Sequence, residues 1–164
     1  MRTKSLFLII TILLSSCISH KTLTPAEIKI MTTKQYEENY DLVFSSALSL
    51  IQSEGFLITN TDKSTGLINA NKQIDNKNAG WQMALVGTAK EASTAQLTFF
   101  IQRLNDHLTE VKMTIYEGSV TSSTGSWGIK NTSTKSNMVE DAEVYATWFN
   151  NLGAEIGRRK ALLE

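Results

Sequence analysis

Hydrophobic and polar positions change rhythm along this chain, and the rhythm predicts its elements. Leu97, Phe99 and Ile101 alternate with Gln96, Thr98 and Gln102, and Val111, Met113 and Ile115 alternate with Glu110, Lys112, Thr114 and Tyr116. A period of two predicts strands over 95–104 and 109–117, each turning one face to a core and the other to water. Asn105-Asp106-His107 suits the tight connection between them. Elsewhere the period lengthens. Tyr40, Val43, Phe44, Ala47 and Ile51 recur as one helical stripe. Asn39 is placed to cap that helix, Asp41 suits its positive end, and Gly55 suits the position just past its end. Met138, Ala142, Tyr145, Phe149, Leu152 and Ile156 form a second stripe. Asn137 and Glu140 stand at capping-box spacing before it, and Arg158, Arg159 and Lys160 suit its negative end.

The remaining segments are shorter. Residues 28–36 (IKIMTTKQY) alternate imperfectly and read as a first strand. Phe56 and Ile58 begin another, Asp62-Lys63-Ser64-Thr65-Gly66 is turn chemistry, and 67–73 returns as its hairpin partner. Residues 75–94 fit either a strand extension or a short helix. Residues 119–136 hold ten Ser or Thr among eighteen, too little apolar surface to offset the cost of ordering, so they are expected to form a mobile loop. The fold class expected is α+β: a single antiparallel sheet of four to six strands with two amphipathic helices on one face, in the order β-α-β-β-(β)-β-β-α.

The N-terminus has a different logic. Arg2 and Lys4 precede an apolar run, Leu6 to Leu14, that is half the length of a bilayer span but the size of a signal-peptide core. Leu14-Ser15-Ser16-Cys17 resembles the bacterial lipobox, in which the cysteine is lipidated and becomes the new N-terminus. The expected organisation is a signal peptide at 1–16, lipidated Cys17 and a tether at 17–27, and one α+β domain at 28–164. Ile18 after the cysteine, rather than Asp, favours transfer to the outer membrane, facing the periplasm.

Composition narrows the function classes. The chain of 164 residues has 16 basic and 16 acidic side chains, and without residues 1–16 the balance is 14 against 16. No basic footprint for nucleic acid exists. The one cysteine excludes an internal disulfide framework and a multi-cysteine zinc site. His20 lies in the tether and His107 in a turn, without a metal-binding spacing between them, so no metal or cofactor is expected. No Gly-x-Ser-x-Gly elbow or phosphate loop is present. The acidic groups Glu37, Glu38, Asp41 and Glu140, Asp141, Glu143 stand at helix starts, where the dipole accounts for them. Gly153 and Gly157 are spaced to let the last helix approach the sheet closely. No enzyme is expected.

Tyr40-Asp41-x-Val43-Phe44-x-x-Ala47-Leu48, Gly55-Phe56-x-Ile58, Asp62 and Gly66-x-Ile68-x-Ala70 together resemble the strand-helix-hairpin unit of small envelope lipoproteins. Residues 111–116 and Tyr145-x-x-x-Phe149-x-x-Leu152 extend the resemblance, and the unit resembles the BamC-type domains of the outer-membrane assembly machinery. It implies a helix-on-sheet fold of the TBP-like kind and a part in envelope assembly.

The function expected is therefore a non-enzymatic, membrane-anchored protein-binding or assembly module of the cell envelope; a periplasmic small-molecule or lipid carrier is the alternative. Interface energy concentrates in a few aromatic anchors. Trp81, Phe100, Tyr116 and Trp127 are the candidates, with Phe100 and Tyr116 expected near one another on adjacent strands. Trp148, mid-helix, is expected to pack in the core.

Overall fold

A computed structural model of the chain describes residues 23–74, 93–124 and 130–163. Six strands form one antiparallel sheet: β1 (Thr33–Tyr36), β2 (Leu57–Asp62), β3 (Leu67–Ile74), β4 (Ser93–Asn105), β5 (Leu108–Thr124) and β6 (Lys130–Met138). Their order is β1-β5-β4-β3-β2, with β6 also paired to β5. Three helices among the described residues accompany them: α1 (Pro25–Thr32), α2 (Tyr40–Ser53) and α3 (Ala142–Lys160). The expected α+β class holds, with α2 and α3 against each other and on one face of the sheet.

The alternating strands bury the residues their pattern selects. Leu97, Phe99, Ile101, Val111, Met113 and Ile115 are all buried, while Gln96, Gln102 and Lys112 face water. The α2 boundaries also follow local chemistry. Asn39 accepts the Leu42 amide at 2.9 Å. At the other end Gly55 takes a φ of +76°, and the amides of Gly55 and Phe56 donate back to Gln52 and Ile51 at 3.0 and 3.1 Å. This 5→2, 6→1 pair is the Schellman arrangement that a left-handed C′ residue permits. The 62–66 turn forms as expected: Asp62 Oδ1 accepts the Ser64 amide at 2.8 Å, and Gly66 adopts a φ of +77°.

Buried α3 residues Val144, Tyr145, Trp148, Phe149, Leu152 and Ile156 meet the α2 stripe over the sheet. Trp148 lies edge-on to Phe56 and Phe99, with centroids 5.7 and 6.2 Å away. Its buried indole N–H has no acceptor among the described residues.

Five expectations are corrected. Residues 28–36 are not one strand: Pro25–Thr32 is a helix, and only Thr33–Tyr36 is extended. The tether expected over 17–27 therefore ends earlier. Residues 119–136 are not a loop over their described parts, because Ser119–Thr124 and Lys130–Ser136 pair as two strands of a hairpin. Helix α3 is capped by Asp141, whose Oδ1 accepts the Glu143 amide at 2.9 Å, four residues beyond the expected Asn137; Met138 belongs to β6. Gly153 and Gly157 do not mark a tight approach, since a Cβ at Gly153 would make only ordinary contact with Tyr36 at 3.7 Å and one at Gly157 would meet nothing.

Candidate partner-binding surface

Both helical stripes are used on one face of the sheet, and the other face is not covered by α2 or α3. Its side chains fall into rungs fixed by the register. Leu67, Phe100, Lys112 and Thr33 make one rung. Asn69, Thr98 and Thr114 make the next, and Asn71, Gln96, Tyr116 and Met138 the third. The middle rung is polar and internally bonded, with Thr98 Oγ1 donating to Asn69 Oδ1 at 2.8 Å. The outer rungs each hold an exposed aromatic, Phe100 at 43% and Tyr116 at 39%. These two are not close neighbours as expected. The register puts four residues between them, about 13 Å at the rise of a strand.

Helix α1 turns this face into a groove. On the outer edge of β5, β1 covers Thr109–Lys112 and β6 covers Tyr116–Thr124. Residues 113–115 lie in the interval, and α1 packs against β1, β5 and α3. Met31 packs on the core from this helix and Thr32 is buried. Pro25, Ile28 and Lys29 form one wall of a groove of about 570 Å³, with Phe100, Lys112, Thr114, Tyr116 and Met138 across from them.

Helix α1 is short, so its cap matters. Thr24 Oγ1 accepts the Glu27 amide at 3.3 Å, and Glu27 Oε2 accepts the Thr24 amide at 2.8 Å. This is a capping box, with Pro25 at the first helical position. The signal Thr24-Pro25-x-Glu27 is present in the sequence; reading 18–27 as a tether passed over it, and with it the contributions of Ile28 and Lys29.

The charges on the groove are unequal. Glu110 is engaged by Gln35 Nε2 at 3.0 Å. Lys29 and Lys112 make no ion pair or hydrogen bond among the described residues. The groove thus offers two free ammonium groups beside two aromatic rings.

Trp81, Trp127 and Cys17 lie outside the described residues. His107 sits in the β4–β5 turn, its amide donating to Asn105 Oδ1 at 2.8 Å. Two of the acidic groups at helix starts have ionic partners: Asp41 with Lys63 at 2.6 Å and Glu38 with Lys160 at 2.7 Å. The Lys63 hydrogen bond holds the Asp41 carboxyl below its ordinary range. Among the described residues no three His, Cys, Asp or Glu side chains gather as a metal site, and no helix is long and apolar enough to cross a membrane. No family model matches this chain, and no curated protein matches it.

Proposed function

We propose that this protein is a non-enzymatic, lipid-anchored module of the bacterial envelope that binds another protein through the face of its sheet opposite α2 and α3. The observation that carries the reading is the pair of exposed aromatics, Phe100 and Tyr116, on the groove that α1 walls off. An exposed aromatic beside a concave, partly apolar surface is the form in which interface energy is usually concentrated. The lipobox-like Leu14-Ser15-Ser16-Cys17 supports anchoring, with acyl chains on Cys17 sufficient for stable attachment. The resemblance to BamC-type domains supports a part in envelope assembly, and the outer membrane is the proposed site.

The carrier alternative needs room between helices and sheet. That layer is filled by Trp148, Tyr145, Phe99, Leu152 and their neighbours, all close to fully buried. A carrier would have to hold its ligand on an open groove, which favours the binding module.

Two measurements test the reading in cells producing the full chain. Labelled palmitate should enter the parent and not Cys17→Ser. A photo-crosslinking amino acid at Phe100 or Tyr116 should give one discrete protein adduct, and the same group at Gln52, exposed on α2, should not. Equal palmitate labelling of Cys17→Ser would remove the anchor. No adduct at either aromatic, or the same adduct from Gln52, would remove the binding face.

A further inference from the structure

From the spacing and charge of the groove we infer its occupant: an extended, acidic segment of a partner protein with two apolar side chains four residues apart. The inference rests on the binding-face reading above and adds what the face recognises. The two apolar points of the groove are Phe100 and the Tyr116–Met138 pair. The polar Thr98–Thr114 rung lies between them, and an offset of four residues sets Phe100 and Tyr116 about 13 Å apart along the strands. An extended chain covers that distance in four residues, whereas a helix needs about nine. A partner strand laid along the groove therefore sets its i and i+4 side chains over the two points.

Charge selects among such segments. Lys112 stands directly beside Phe100 across the β4–β5 pair, and Lys29 projects from the opposite wall. Neither has an ionic partner among the described residues, and against these two ammonium groups the groove lining holds one carboxylate, Glu110, which keeps its charge while accepting from the neutral Gln35 amide. Acidic residues flanking the two apolar positions would meet both ammonium groups, and basic ones would meet repulsion, so the same charges select for and against. The chain as a whole, equal in acidic and basic groups, supplies no general pull of this kind. A flat anionic membrane would satisfy the lysines but not fill a concave groove between α1 and the sheet.

Panning the full chain, held in phosphatidylcholine nanodiscs, against a phage library of random dodecapeptides tests this. The expected winners carry aromatic or aliphatic residues at i and i+4 with Asp or Glu around them. The double variant Lys29→Glu/Lys112→Glu should reverse the charge of the winners while keeping the apolar spacing. Phe100→Ala should weaken a selected acidic peptide about 10-fold. Winners without acidic bias, no enrichment at all, or an unchanged charge preference in the double variant would overturn the inference, even where crosslinking at Phe100 still finds a partner. Binding of the parent to phosphatidylglycerol vesicles, lost in the double variant while peptide selection is unaltered, would overturn it in favour of a lipid surface.

Discussion

Tyr145→Phe tests the join that lets β5 serve two partners along one edge. Ile115 falls in the interval between β1 and β6, and it turns its N–H and C=O outward there. Its carbonyl accepts the Val139 amide at 2.9 Å. Its N–H donates to the hydroxyl of Tyr145 at 3.2 Å, with Tyr145 fully buried. A side chain from α3 thus completes a ladder that no strand completes. Removing that oxygen leaves a buried donor alone, which costs about 1–3 kcal/mol, against about 0.5–1.5 kcal/mol for an ordinary net hydrogen bond.

Tyr36→Phe is the internal control. Tyr36 donates its hydroxyl to the Phe149 carbonyl at 2.7 Å, also in the interior. That carbonyl lies inside α3 and keeps its helical partner when the tyrosine is lost. The loss should fall in the lower range, so Tyr145→Phe should be the more damaging of two chemically identical changes. Urea denaturation measures both, and amide exchange at Ile115 reports the local effect. Alkaline pH gives a second check. Burial raises the Tyr145 phenol above its ordinary 10.0, so the neutral folded form contributes stability that is whole below that value and fades as pH rises past it. The gap between parent and Tyr145→Phe should narrow there. A Tyr36→Phe loss equal to or above that of Tyr145→Phe, or unchanged exchange at Ile115, would refute the reasoning.

Three further expectations follow from the same packing. Phe44→Ala and Phe149→Ala, both buried on facing helices, should each cost about 3–5 kcal/mol in denaturant titrations; a loss below about 1 kcal/mol for both would mean the helix faces are assigned wrongly. Gly66→Ala combines a left-handed φ with a Cβ placed 1.9 Å from the Ile101 carbonyl oxygen; it should lower the melting temperature by more than the ~1–2 kcal/mol of the conformation alone would produce, and a smaller loss would show the β3–β4 approach to be slack. Glu155 is held down to about 2, chiefly by its hydrogen bonds with Arg158; its contribution is whole above the ordinary 4.5 and is lost as pH falls toward 2, so Glu155→Gln should flatten the acid side of the stability profile, and an unaltered acid slope would count against it.

The sequence was legible where one physical cause dominates. Alternation in β4 and β5 and the α2 stripe each bury one set of residues, so periodicity alone located them. The Asn39 cap and the turns at 62–66 and 105–107 were legible from side chains that bond their own backbone. The β5–β6 hairpin was not, because backbone pairing by itself leaves no apolar alternation in the sequence. Ser93 pairs with Ser119, and among the described residues β5 from Val120 onward pairs with β6 alone. A Ser- and Thr-rich composition without that alternation reads as loop. Helix α1 was missed for another reason. Its eight residues are too few to show a period, and only its capping box announced it. Phe100 and Tyr116 were placed on the correct face, but their separation depends on register, which alternation leaves open by any even number of residues.

On the lipid-anchored reading proposed above, the position of α1 would link the anchor to the groove. Pro25 opens the helix and lines the groove, and it follows Cys17 by eight residues. Eight extended residues reach at most about 28 Å. With lipid on Cys17, the wall of the groove cannot stand farther than that from the bilayer surface, whatever path the tether takes. A partner segment laid between α1 and the sheet would therefore be captured in the membrane-proximal layer, where another anchored or inserted protein is present at high effective concentration. Lengthening the tether, with the groove untouched, should weaken capture of a membrane-bound partner and leave the affinity for a free acidic peptide unchanged. Equal loss of both on lengthening would place the effect in α1 itself, through its Thr24–Glu27 cap.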